Sequence, residues 1–175
     1  LEDKEHTLLE AIVDILRDGG IRTPSLREVE QADAVLVLGE DVTNSAPRLA
    51  LSLRQSVRNA AFDRARALKI APWLDKPVRE QQIDHRSPLF IASVCVTPLD
   101  DAATATYRGS PEDVARLGFA IAHSLDPEAP APAGLGEEAR ALAATIADHL
   151  KQARRPLVVS GTSNASLAII EAAYN

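Results

Sequence analysis

The 175-residue chain holds no methionine, one cysteine, one tryptophan, and aromatic residues to only 3%. Each scarcity excludes something. A lone thiol, Cys95, cannot close an internal disulfide, and this chain alone cannot build a cysteine-held metal or iron–sulfur cluster. Uninterrupted apolar runs stop at about five or six residues, where a bilayer span needs roughly 20. Basic residues are in the minority, 19 against 25 acidic, so the net charge of −6 lacks the basic face of a nucleic-acid binder or a polybasic membrane anchor. Without methionine, and opening Leu1-Glu2-Asp3-Lys4-Glu5-His6 with no signal peptide, the sequence reads as a piece of a longer cytosolic-side protein.

What is present is the alternation of an α/β protein. Leu8, Leu9, Ile12, Val13, Ile15 and Leu16 recur at helical spacing and stop at Gly19-Gly20. Ser25 with Glu28 has the form of a capping box and predicts a short helix through about Gln31. Ala34-Val35-Leu36-Val37-Leu38, closed by Gly39, is apolar without alternation, the pattern of a strand buried on both faces of a parallel sheet. Ser45 as N-cap and Pro47 in the first turn then introduce a helix whose stripe is Leu49, Ala50, Leu53, Val57, Ala60 and Ala61. Residues 62–86 read as a short helix and an irregular connection, and residues 88–94 as a second strand, with Cys95 at its end as a small core hydrophobe. A polar loop over 97–108 leads to a helix starting at Ser110-Pro111-Glu112-Asp113, with Val114, Leu117, Gly118, Ile121 and Leu125 as its apolar face.

The Pro/Ala stretch 127–134 is the natural boundary. It divides an α/β region over 1–126 from the start of a next, truncated α/β segment over 135–175. There Ala139, Leu142, Ala143, Ile146, Ala147 and Leu150 mark a helix. Residues 156–160 form a third strand, and Gly161-Thr162-Ser163-Asn164 turn into a last helix. The sum is a Rossmann-like layered fold, a short, mostly parallel sheet of about three strands flanked by helices.

Ligands of open α/β sheets bind at the carboxyl ends of strands, which singles out two turns. The first, Gly39 to Ser45, offers backbone N–H groups but carries Glu40 and Asp41, which repel an anion. Its single glycine falls short of a dinucleotide fingerprint or a P-loop. The second, Gly161 to Asn164, is less acidic, yet its hydroxyls and amide are also ordinary helix caps. His6, His85, His123 and His149 show no metal-ligand spacing, and His123 shares a solvated face with Glu112 and Arg116. No Gly-x-Ser-x-Gly elbow occurs, and the acidic pairs Asp100-Asp101 and Glu137-Glu138 diverge from one another. No catalytic residue and no metal ligand is assigned.

Three stretches together are similar to one family. They are residues 32–43 continuing through 47–55, residues 99–101 with 106–108 and 112–123, and residues 153–163. They resemble the large G subunit of bacterial NADH-quinone oxidoreductase, respiratory complex I. The resemblance implies the α/β layer of the molybdopterin oxidoreductase fold. In cofactor-binding members of that superfamily the turn after the first strand runs Gly-x-Asn-Pro and holds the nucleotide end of the pterin. Here the matching positions read Gly39-Glu40-Asp41-Val42, so an acid stands where asparagine would donate, and an acidic side chain facing a diphosphate is repelled.

The resemblance further implies iron–sulfur clusters elsewhere in the full-length protein, none in this piece, and other peripheral-arm subunits as partners. It implies a place at the cytoplasmic face of the bacterial inner membrane, without nucleic acid or membrane insertion. Gly39, Asp41, Gly161 and Thr162 remain as vestigial cofactor-binding candidates. The expected role is scaffolding within electron transfer from NADH to quinone. The alternatives are an active domain binding a molybdopterin guanine dinucleotide, and a stand-alone nucleotide-binding α/β module using the Gly161 turn.

Overall fold

The computed structural model describes residues 2–175, with side chains from Lys4 onward. In chain order it forms α1 (Glu2–Asp18), α2 (Leu26–Val29), β1 (Ala34–Leu38), α3 (Val42–Ser45), α4 (Pro47–Ser56), α5 (Asn59–Ala67) and α6 (Asp75–Asp84). There follow β2 (Leu89–Ser93), a 3-10 turn (Pro98–Ala102), β3 (Ala105–Arg108), α7 (Pro111–Leu125), α8 (Glu137–Gln152), β4 (Pro156–Ser160) and α9 (Leu167–Tyr174). The strands lie in the order β3-β2-β1-β4 and every pairing is parallel. This is the layered α/β fold expected from the unbroken apolar runs.

The two faces of β1 explain why its five residues are all apolar. Leu36 and Leu38 point into a core shared with Phe90, Leu117, Ile121, Ile146 and Ile169, beneath α7, α8 and α9. Val35 and Val37 point the other way, toward Ile91, Leu53, Val57 and Val29, beneath α2 and α4. Burying one such side chain stabilises the fold by about 1.5–3 kcal/mol, so a strand with a core on each face tolerates no polar residue. Packing on the first face is close enough to require a glycine. A Cβ on Gly118 would lie 2.7 Å from Leu38 Cδ2 and 2.9 Å from Ala172 Cβ, where α7 crosses β1 and α9.

Residues 135–175, set apart in sequence by the 127–134 connector, return β4 to the sheet beside β1 and lay α8 against α7. Asp33 secures that return, its carboxylate accepting from the N–H groups of Arg154 at 3.0 Å and Arg155 at 2.8 Å. His123 ties the connector down, with Nδ1 2.8 Å from the Ala129 carbonyl.

Several expectations are corrected. The sheet has four strands, because part of the polar 97–108 stretch pairs with β2 as β3, half-buried at the sheet edge and so without an apolar signature. Residues 62–86 are a helical hairpin, α5 and α6, instead of a short helix and an irregular connection. The capping box at Ser25 forms as read, but Ser45 is not a cap: Asp41 caps α3, and α4 starts behind Ala46 with Pro47 in its first turn. Cys95 is exposed, since β2 ends at Ser93 and the chain leaves the core there. The Gly161 turn does not run straight into a helix, because α9 begins only at Leu167.

Candidate functional site

After β1 the chain moves to β2 and β3 on one side, and later to β4 on the other. The carboxyl ends of β1 and β4 therefore flank the topological switch point, where sheets of this kind open a crevice for ligands. Both turns singled out above meet there, brought together across more than 120 residues.

Gly39 makes the first turn possible. Its φ of 67° is left-handed, and a Cβ would lie 2.6 Å from Ile169 Cγ2, so both backbone and space demand glycine. Its N–H donates to the Ala92 carbonyl at 2.7 Å, and its own carbonyl accepts from Asn164 Nδ2 at 2.8 Å.

The next residue turns inward. Glu40 is only 6% exposed, and its carboxylate lies between the two turns. Oε1 accepts from the Ser45 hydroxyl at 2.6 Å and, in a short bond, from the Ser163 hydroxyl. Oε2 accepts from the Ser163 N–H at 3.2 Å. A Cβ on Gly161 would overlap Glu40 Oε2, so any larger residue there requires the carboxylate to move. No lysine or arginine pairs with Glu40 among the described residues. Its charge is met by two hydroxyls and an amide, the donor set an α/β crevice commonly offers a phosphate.

Asp41 behaves differently from its neighbour. It faces its own helix, accepting from the Thr43 N–H at 3.1 Å, the Thr43 hydroxyl and Asn44 Nδ2 at 2.6 Å. The Thr43 hydroxyl chiefly, with Asn44, holds its carboxyl below the ordinary value. Thr162 is exposed, and its carbonyl accepts from the Ala165 N–H at 2.9 Å. Of the four sequence candidates, then, Gly39 and Gly161 shape the crevice, Asp41 caps a helix and Thr162 lies outside. The side chain that occupies the crevice is Glu40, held by the exposed Ser45 and Ser163 hydroxyls at its rim, with Asn164 bonded to the Gly39 carbonyl beside it. The sequence sets Glu40 and Asp41 side by side in the same turn; aspartate is the better helix cap and caps α3, but nothing local says that Glu40 turns inward.

A second concavity of about 330 Å³ lies along the outer edge of β4, between α1 and α9. Ile12, Ile15, Leu157, Val159 and Ile170 make it apolar, and a buried Ser160 hydroxyl has no hydrogen-bond partner there. It offers no set of convergent polar groups for chemistry. Among the described residues no group of three or more histidine, cysteine, aspartate or glutamate side chains could hold a metal ion, and no helix is long and apolar enough to cross a membrane.

No protein-family model matches the chain. Curated proteins do. The G subunit of the NADH-quinone oxidoreductase of Pseudomonas fluorescens is 48% identical over all 175 residues. Its namesake in Shewanella oneidensis is 47% identical over the same length, and that of Escherichia coli strain K12 is 47% identical over 171 residues, 98% of the chain. The chain is homologous to a segment of the NADH-quinone oxidoreductase G subunit. It spans 19% of the length of the curated relatives it matches. The resemblance carried by three stretches thus extends across the whole sequence, including the 62–86 hairpin that lies outside all three.

Proposed function

We propose that this G-subunit segment is a structural part of the peripheral arm of an NADH-quinone oxidoreductase. It takes part in electron transfer from NADH to quinone by holding neighbouring subunits in place, with no redox centre within residues 1–175. On this reading the iron–sulfur clusters belong to other parts of the full-length protein. The assembly lies at the cytoplasmic face of the bacterial inner membrane.

The observation that carries the reading is the Glu40 carboxylate in the switch-point crevice. The group implied by the fold family, a pterin dinucleotide, does not fit the residues present. Its phosphates would have to displace a carboxylate already held by three donors, or lie against it in a partly desolvated site without a compensating cation. Hydrogen bonds to a charged acceptor contribute about 1.5–3 kcal/mol each, so expelling Glu40 gives up several kcal/mol before any ligand contact forms. The crevice acts as a clasp joining the ends of β1 and β4, and no reaction step is assigned to it.

The test is molybdenum and pterin analysis of the full-length protein purified with its complex. Both should be absent at stoichiometric level, and NADH-quinone activity should survive Glu40→Gln. Stoichiometric pterin, or activity abolished in a variant whose complex assembles normally, would overturn the reading.

A further inference from the structure

The two edges of the sheet are built differently. β3 carries a charge at its edge, Arg108, ion-paired with Asp100. β4 runs Pro156-Leu157-Val158-Val159-Ser160 and has no charged residue. Among the described residues no strand pairs with its outer side. Proteins blunt a free edge with charge, bulges or a cover, because its unpaired backbone groups recruit other strands. β4 instead repeats the unalternating apolar pattern of β1 and β2, which are paired on both sides.

The register fixes which backbone groups face outward. The N–H groups of Val35 and Gly39 donate to the Pro88 and Ala92 carbonyls on the β2 side. Backbone direction alternates along a strand, so the even-numbered residues of β1 face β4. Val158 lies opposite Leu36 and Ser160 opposite Leu38. In a parallel pair the residue opposite an inward-facing one turns its own N–H and C=O away, so Val158 and Ser160 offer theirs to the outer edge. The apolar groove of about 330 Å³ runs along that edge. Leu16, Ile21, Val158 and Tyr174 line it, each between 41% and 52% exposed.

We propose that this edge is an internal position of the sheet in the full-length protein, filled by a fifth parallel strand from the segment of the same polypeptide that follows α9. The length of the relatives leaves room for such a strand, since the chain spans 19% of them. Topology selects the segment. α9 follows β4 on the same face of the sheet as α7 and α8, and Tyr174 in its last turn already lines the groove. A strand laid beside β4 from there crosses in the direction, and over the face, already taken from β3 to β4. It therefore has the same hand, and parallel crossovers keep one hand almost without exception. The proposal goes beyond the scaffold reading and does not depend on it.

The experiment places a photo-crosslinking benzophenone amino acid at position 16 of the full-length protein in its assembled complex, with position 158 as a second variant, and maps the adducts by mass spectrometry. Both positions should cross-link to one segment beyond residue 175 of the same polypeptide, carrying an unalternating apolar run. In a companion arm, residue-resolved hydrogen–deuterium exchange of the unmodified complex should show the Val158 and Ser160 amides exchanging at least about 100-fold slower than in an unfolded chain. Adducts in another subunit, in lipid, in a second copy, before residue 1 or confined to residues 1–175 overturn the proposal. So does the absence of adducts at both positions while the protein co-purifies with its complex, or a Val158 amide that exchanges at the unfolded rate. None of these outcomes touches pterin content or the effect of Glu40→Gln, so the scaffold reading stands or falls separately.

Discussion

Replacing Gly161 by alanine adds a single methyl group, which overlaps Glu40 Oε2. The carboxylate cannot swing aside freely, because two hydroxyls and an amide hold it and it is 6% exposed. Overpacking of this kind costs about 1–3 kcal/mol, to which a lost charged hydrogen bond adds about 1.5–3. Allowing for relaxation, Gly161→Ala should destabilise the chain by about 2–3 kcal/mol. Glu40→Ala should cost a similar amount. It strands the Ser45 and Ser163 donors, but it also removes a buried carboxylate that pairs with no lysine or arginine among the described residues.

The diagnostic quantity is the double variant. With Glu40 gone, the alanine methyl at 161 enters vacated space, and its cost should vanish or reverse by the about 0.4–1 kcal/mol that glycine-to-alanine changes recover from the unfolded chain. Urea unfolding of the four proteins by circular dichroism gives the coupling energy, expected at about 2 kcal/mol or more. Additive costs would refute the clasp. The Glu40 carboxylate would then not rest against position 161, whose backbone by itself does not demand glycine.

Two further outcomes follow from the packing and the caps. Gly118→Ala should destabilise by about 1–3 kcal/mol in the same urea assay despite alanine's higher helix propensity, because Ala172 Cβ is fixed to a helix backbone and cannot yield. The carboxyls of Glu28, Asp41, Asp101 and Asp113 lie below their ordinary values, the largest cause being hydrogen bonds from Ser25, Thr43, Arg54 and Ser110 respectively. Depressed groups contribute stability that is present above the unfolded value of about 4 and lost as pH falls through the folded one. Urea midpoints should therefore drop as pH is lowered below about 4.5, and Asp113→Asn should flatten that slope.

The sequence by itself determined the elements whose physics is local. Unbroken apolar runs required strands buried on both faces, hence a parallel sheet between helix layers. Ser25 and Glu28 sit three apart and close their own capping box. The resemblance also reached the family from short stretches, and relatives 47–48% identical match 98–100% of the chain.

What the tertiary structure decided is everything that depends on partners far along the chain. β3 carries no apolar signal because it is a half-buried edge, legible only once β2 lies beside it. Cys95 looks like core until β2 ends two residues before it. Glu40 and Asp41 are adjacent acids, and the local sequence accounts for Asp41 as a helix cap but not for the direction Glu40 takes. One caps the helix that follows, and the other is drawn inward by Ser163, 123 residues away, because the switch point between β1 and β4 sets that serine's donors within reach. Electrostatics in the sequence could say that an anion would be repelled at this turn. Only the folded arrangement of the two strands says that the turn already holds a negative charge of its own.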